Sequence, residues 1–221
     1  MSDEPRARAE TTIRPIAKDD VAAVVEIYNQ AVDDTVAIWN NDHVDEANRL
    51  QWIESHDAAG LPILVAEVGG EIAGYASLSV FRDFQGFAHT AENSIYIHPR
   101  FQRRGIASLL LEKIVESARE LKLHVVVAAI EGSNEASLTL HSRLGFRSAG
   151  VIPQAGIKFG HWLDLHFMYL LLEDTEVNLV LKGYPVPQRQ LAAQEITERG
   201  ISQQRRCHAE FVIWRLAPTG S

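Results

Sequence analysis

Apolar positions along the chain fall into two rhythms, and the switch between them outlines the elements. Alternation over Thr12–Ile16 predicts a short strand. Asp19 then caps a helix whose apolar residues Val21, Val24, Val25, Tyr28 and Val32 recur at helical spacing. Ile63–Val68 and Ile72–Val80 are β-rich runs on either side of Gly69-Gly70, a dipeptide that supplies the positive φ of a tight hairpin turn. Ser94–Ile97 predicts the next strand. Helical spacing returns in Ile106, Leu109, Leu110, Ile114 and Leu121. Val125–Ile130 is an uninterrupted apolar run of strand length, which suits a central strand covered on both faces. Ser133 or Asn134 caps a further helix ending at Gly145, and alternation in Phe146–Ile152 and His161–Leu172 predicts a closing strand pair. The order is β-α-β-β-β-α-β-α-β-β. It corresponds to an α/β (α+β) fold with a mixed, mostly antiparallel central sheet flanked by helices.

Both ends depart from this pattern. Residues 1–11 are polar without an apolar period and read as a mobile lead-in to a domain spanning 12–173. Residues 174–221 form an extension of unassigned role, with Pro185 and Pro187, a helix expected at Gln188–Glu198, and an apolar stretch at Phe211–Leu216. There is no internal repeat.

Charge narrows the partners. The 221 residues carry a formal net charge of −8, and residues 1–173 hold 15 basic and 24 acidic groups. A phosphate backbone is engaged through clustered Lys and Arg, so nucleic acid is not an expected partner. No apolar run of 18 residues and no secretory segment occurs, which excludes a membrane span and points to a cytoplasmic protein. Cys207, the one cysteine, cannot form an internal disulfide. His98, His124, His161 and His166 show neither metal-ligand spacing nor a Cys pair, so no metal is expected. Against this acidic background Arg100, Arg103 and Arg104 gather three guanidinium groups. They suit either a local anion site or a solvated helix entrance.

Gln102-Arg103-Arg104-Gly105-Ile106-Ala107 lies between a strand and a long amphipathic helix. The first amides of a helix lack intrahelical acceptors and the macrodipole adds positive charge there, so a pyrophosphate would accept several hydrogen bonds, with Gly105 permitting close approach. The pattern Gln-x-x-Gly-x-Ala after a Tyr-bearing strand resembles the acetyl-CoA pyrophosphate loop of the GNAT superfamily. Asn134 to Phe146, ending in Leu-Gly-Phe, resembles that family's second cofactor segment. Phe81-Arg82-Asp83-Phe84 and His89 to Ile97 are similar to the phosphinothricin and methionine-sulfoximine acetyltransferase branch. The resemblance covers residues 12–173.

The resemblance implies direct acetyl transfer from acetyl-CoA to the amine of a small amino acid or analogue, without a covalent enzyme intermediate. It assigns Ile95, Tyr96 and Ile97 to the pantetheine amides; Arg103, Arg104, Gly105, Ile106, Ala107 and Ser108 to the pyrophosphate; and Asn134 to the cofactor arm. Glu92 becomes the general base, acting through one water, and Arg82, Asp83, Phe84, Glu92, Asn93 and Ser94 line the acceptor site. His141 stands near the thioester sulfur, either as an acid or only as an orienting group. The family also implies splayed strands around acetyl-CoA, a β-bulge near Glu92 and a homodimer.

The residues support parts of this independently. Asn134 and His141 are two helical turns apart and share a face. Glu92, Ser94 and Tyr96 alternate to one side of a strand, Ile95 and Ile97 to the other. Arg82 offers a planar fork for a carboxylate, although pairing with Asp83 or plain solvation accounts for it equally well. Two other classes stay open: a non-catalytic acetyl-CoA-binding regulatory module and a peptide or protein N-acetyltransferase.

Overall fold

The computed structural model describes residues 10–172. The helix expected at 188–198, the apolar stretch 211–216 and Cys207 lie outside them. The elements are β1 (Thr11–Pro15), α1 (Val21–Asp34), α2 (Glu46–Ala59), β2 (Ile63–Val68), β3 (Glu71–Val80), β4 (Thr90–Ile97), α3 (Ile106–Glu120), β5 (Val125–Glu131), α4 (Glu135–Arg143), β6 (Arg147–Lys158) and β7 (His161–Leu171). One seven-stranded sheet runs in the order β1-β2-β3-β4-β5-β7-β6. All neighbours are antiparallel except β4 and β5.

Two turns follow directly from residue chemistry. Gly69 and Gly70 both take positive φ, 59° and 83°, and close β2 on β3 as expected. Phe159 and Gly160, at 50° and 77°, close β6 on β7. The start of α1 differs from expectation. Asp20, not Asp19, holds the N-cap position, behind a single 3₁₀ turn. Its carboxylate accepts the Ala17 amide at 2.7 Å and both Arg14 terminal nitrogens at 2.7 and 2.9 Å, while Arg14 Nε donates to Glu67 at 2.9 Å. Arg14 therefore ties β1, β2 and the mouth of α1 together, and its hydrogen bonds, with that of the Ala17 amide, pull the Asp20 carboxyl below its ordinary pKa against the cost of burial.

Helix α2 has no counterpart in the predicted order. Its apolar face is thin and His56 is its one buried residue, so the periodic signal was absent. Its limits are nonetheless written locally. The Asp45 carboxylate accepts the Asn48 amide at 2.8 Å, and Gly60 ends the helix in the left-handed conformation, φ 66°.

Two cores sandwich the sheet. On one face Leu110, Leu111, Ile114, Val115 and Ala118 of α3 pack on Leu64, Ala76, Leu78, Ala91, Val126, Ala128 and Met168, with Ile95 and Ile97 at the margin. On the other, Val24 and Ile27 of α1 meet Val65 and Tyr75, with Trp52 and Tyr96 beside them. Strand β4 thus sends its odd-numbered side chains toward α3 and its even-numbered ones toward α1 and α2.

The expected bulge in β4 is absent. Its register against β3 runs unbroken from Ala91↔Val80 to Ile97↔Gly74, and the shifts fall instead between Ala66 and Glu67 of β2 and at two places in β6. The opening arises differently. Parallel pairing of β4 with β5 ends at Asn93↔Ala128, and the strands separate beyond it.

Gly74 holds β4 in place from the other side. A Cβ there would lie 2.6 Å from both the Tyr96 carbonyl oxygen and Ile97 Cδ1. Gly74→Ala must therefore displace the half of β4 that has no second neighbour. We expect a loss of ~1–3 kcal/mol in urea unfolding, as for overpacked sites, with an unchanged m-value.

Candidate active site

The splay of β4 from β5 sets the site. The His98 amide donates to Ala73 O at 2.9 Å, so the directly opposed pairs 73/98 and 75/96 are the hydrogen-bonded ones. The N–H and C=O groups of Asn93, Ile95 and Ile97 consequently face β5. Asn93 has a β5 partner; Ile95 and Ile97 do not. A narrow crevice of about 70 Å³ opens there, lined by Asn93 to Tyr96, Ala128 to Glu131, Asn134, Ser137, His141 and Ala37. Such a gap offers two free main-chain edges to an extended chain bearing amides.

At one end of β4 lies the loop before α3. The last main-chain amide bonded before the helix is that of Gln102, on Pro99 O, and the next is that of Ser108, on Gly105 O at 3.1 Å. Between them the amides of Arg103, Arg104, Gly105, Ile106 and Ala107 are left to solvent or ligand. Arg103 (φ 59°) and Gly105 (φ 84°) both adopt left-handed backbone, which curls these amides into an anion-binding concavity at the mouth of a 15-residue helix. Arg104 donates to Arg100 O at 2.8 Å and stacks over Phe101; Arg103 is exposed.

Beside the crevice, the Asn134 side chain caps α4 by accepting the Ser137 amide at 3.1 Å. His141, two turns on, is 3% exposed. Its Nδ1 lies 2.8 Å from Ser137 O and its Nε2 3.1 Å from Asn93 Oδ1, while Asn93 Nδ2 donates to Val127 O at 3.2 Å. Burial pushes the imidazole below its ordinary pKa, against the Ser137 carbonyl, which raises it. A neutral ring donates from one nitrogen only, so the two acceptors hold the ring in orientation and would both be satisfied by its protonated form.

Glu92 is on the opposite face of β4, with Ser94 and Tyr96. Desolvation raises its pKa and the Arg82 charge partly offsets this. The neighbouring Tyr96 phenol is pushed up to about 12 by burial, so it stays protonated and cannot compete as a base. Glu92 faces Val127 across the parallel pair, and Val127 faces Tyr169. On that side a cleft of about 410 Å³ is lined by Phe81, Val127, Val151, Phe167 and Tyr169, among others. Arg82 is exposed, its guanidinium 4.4 Å from the Phe81 ring and donating to Phe81 O at 2.7 Å. Asp83 and Phe84 are exposed, Phe84 by 73%. Asn93, expected with the acceptor residues, lies on His141's side of the sheet. Of the cleft's lining only Phe81 falls in a motif read from the sequence; Val127, Phe167 and Tyr169 carry none.

The sequence and the fold match known proteins. Residues 24–146 match the acetyltransferase (GNAT) family. The chain belongs to the GNAT acetyltransferase family. It is 49% identical over 163 residues to the L-amino acid N-acyltransferase of Escherichia coli (strain K12), covering 74% of this chain and 95% of that one. To the L-methionine sulfoximine/L-methionine sulfone acetyltransferase of Salmonella typhimurium it is 48% identical over 163 residues, again 74% and 95%. The solved phosphinothricin acetyltransferase of Sinorhizobium meliloti, in complex with acetyl-CoA, superposes with a TM-score of 0.75 at 30% identity, covering 80% of this chain and 96% of that one. Among the described residues of this GNAT protein there is no metal-binding cluster, and no helix is long and apolar enough to cross a membrane.

The helix mouth gives a direct test. Gly105→Val imposes a branched side chain at φ 84° and fills the space above the free amides. Calorimetric titration should show CoA affinity falling by ~10-fold or more, with acceptor recognition affected less. Unchanged affinity in the folded variant would remove the helix mouth from the site.

Proposed function

We propose that this enzyme transfers the acetyl group of acetyl-CoA to the α-amine of a free amino acid or close analogue, of the methionine sulfoximine and phosphinothricin type. The observation that carries the reading is Glu92: a carboxylate with a burial-raised pKa, on the splayed strand, across the sheet from His141 and beside an apolar cleft. The two named relatives act on amino acids and are nearly half identical to this chain.

In this reading the pantetheine arm pairs with the free main-chain edge at Ile95, Tyr96 and Ile97, Asn134 borders the arm, and Arg103 to Ser108 hold the pyrophosphate. The acceptor approaches from the Glu92 face. Its side chain enters the apolar cleft, its carboxylate meets Arg82, and Asp83, Phe84 and Ser94 complete the surroundings, while Asn93 lies on the far side of the strand beside His141. Glu92 takes the ammonium proton, through one water; the nitrogen lone pair attacks the thioester carbon; the C–S bond breaks, CoA departs as thiolate, and the new amide nitrogen releases its second proton to solvent. A thiolate with a pKa of about 8–9 needs little protonation near neutrality. His141, held through the Ser137 carbonyl and with its pKa lowered by burial, therefore orients the crevice in this mechanism.

The catalytic unit is 12–173, with 174–221 as an extension. The enzyme works in the cytoplasm without a metal. A second copy covers the edge strand β6, where Val151, Ile152 and Ile157 are about half exposed, with Phe159 and Trp162 beside them at 57% and 64%.

Thiol release from acetyl-CoA, measured against a panel of amino acids, analogues, decarboxylated amines and peptides, tests the acceptor class. Free amino acids should lead and peptides should fail. Glu92→Gln should reduce kcat/KM for the acceptor by ~100- to 10,000-fold near neutrality. Because burial raises the Glu92 pKa, the parent's acid limb should lie above the ordinary carboxylate value of 4.5. The variant should lose that limb, and its deficit should shrink as alkali deprotonates the amine. Parent rates at neutral pH in the variant, or a deficit that ignores pH, would exclude Glu92 as the base.

A further inference from the structure

Lys158, at the end of β6, is 3% exposed and has no carboxylate within salt-bridge distance among the described residues. Its ammonium donates instead to two main-chain carbonyls, Val32 O at 2.6 Å and Ile38 O at 2.5 Å. Val32 is in the last turn of α1, where carbonyls lack intrahelical donors and a cation is favoured. Ile38 lies in the loop that follows.

That loop, residues 35–44, is secured at further points. Thr35 Oγ1 donates to Ala31 O at 2.6 Å, and the Asn29 amide bridges both main-chain groups of Val44 at 2.9 Å each. Trp39 donates its Nε1–H to Val36 O at 2.9 Å and lays its ring against Gly156 of β6, where a Cβ would come within 2.3 Å of Trp39 Cε3. Only a glycine at 156 admits the ring in this position. Between these fastenings Ala37 enters the crevice beside Ser94, Tyr96 and His141. An eleven-residue connection between helices would ordinarily be loose; here two β6 residues fix its course.

We infer that Lys158 and Gly156 are positioning residues: through Ile38 and Trp39 they hold the loop 35–44, with Ala37, against the Ser94 and Tyr96 side of the crevice, the Glu92 face from which the acceptor approaches in the reading above. The inference rests on the acceptor reading above but concerns residues that touch neither reactant. Their strand, β6, also supplies Val151 to the apolar cleft, so one strand shapes both the cleft and the loop.

The test uses the full-length enzyme and the best acceptor from the panel. Lys158→Met keeps the stem and removes the donors; Gly156→Ala keeps Lys158 and displaces Trp39. Each should raise the acceptor KM by ~10-fold, as expected for the loss of one or two buried hydrogen bonds, change kcat less, and leave the acetyl-CoA KM within about twofold. Hydrogen exchange at residues 35–44 should quicken in Lys158→Met. Faster loop exchange with an unchanged acceptor KM would overturn the proposal, as would a parallel rise in both KM values. If Lys158→Met fails to fold, Gly156→Ala decides by the same split. A parent inert toward every amine would fail the acceptor reading itself, and this inference with it; an active parent with indifferent variants would fail this inference alone.

Discussion

The parallel hydrogen bonding between β4 and β5 stops after Asn93↔Ala128, and the chemistry of the fold is arranged around that stop. Continued pairing would satisfy the inward-facing edge of Ile95 and Ile97 within the protein and leave no gap. Released from β5, β4 keeps its course through unbroken pairing with β3, where Gly74 permits close approach. The α3 mouth then follows β4 with its unpaired amides, so two sets of free N–H groups, at the crevice and at the helix, flank a short bonded turn.

The same strand keeps two titratable groups apart. Its odd face carries Asn93 to His141 and its even face carries Glu92, so the sheet itself lies between the imidazole and the carboxyl. Burial moves the two pKa values toward each other: it raises the carboxyl and lowers the imidazole. Glu92 thereby becomes a stronger base than an exposed carboxylate, and the lowered imidazole pKa favours the uncharged ring of His141. Deprotonating an amine about two units above neutrality costs ~2.7 kcal/mol, whereas holding two reactants in register contributes roughly 7–11 kcal/mol. Positioning therefore outweighs proton removal, which explains why so much of the structure serves to fix strands and loops.

Much of this was legible in the sequence. The apolar patterning marked every strand and two of the four α-helices, the cap at Ser133 or Asn134 and the stop at Gly145 marked a third, the positive-φ demand of Gly69-Gly70 located the hairpin, and the small Gly105 among arginines located the helix mouth. Helix α2 escaped because periodicity reports burial, and a helix with one buried residue has almost none; only Asp45 and Gly60 marked its ends. The splay was expected from a bulge, yet it arises from pairing that simply ends, a long-range event that no local residue encodes. Asn93 was grouped with the acceptor residues by the resemblance alone, whereas unbroken alternation along β4 sends it to His141. Lys158 and Gly156 meet Ile38 and Trp39 across more than a hundred positions, so nothing in their own neighbourhood announced the contact.

The most direct measurement is amide hydrogen exchange with and without saturating CoA, followed residue by residue along β4. The account predicts that Ile95 and Ile97, whose N–H groups face the gap, gain protection together with Arg103 to Ala107, while Tyr96, already paired with β3, changes little. CoA binding that leaves Ile95 and Ile97 unprotected would contradict it.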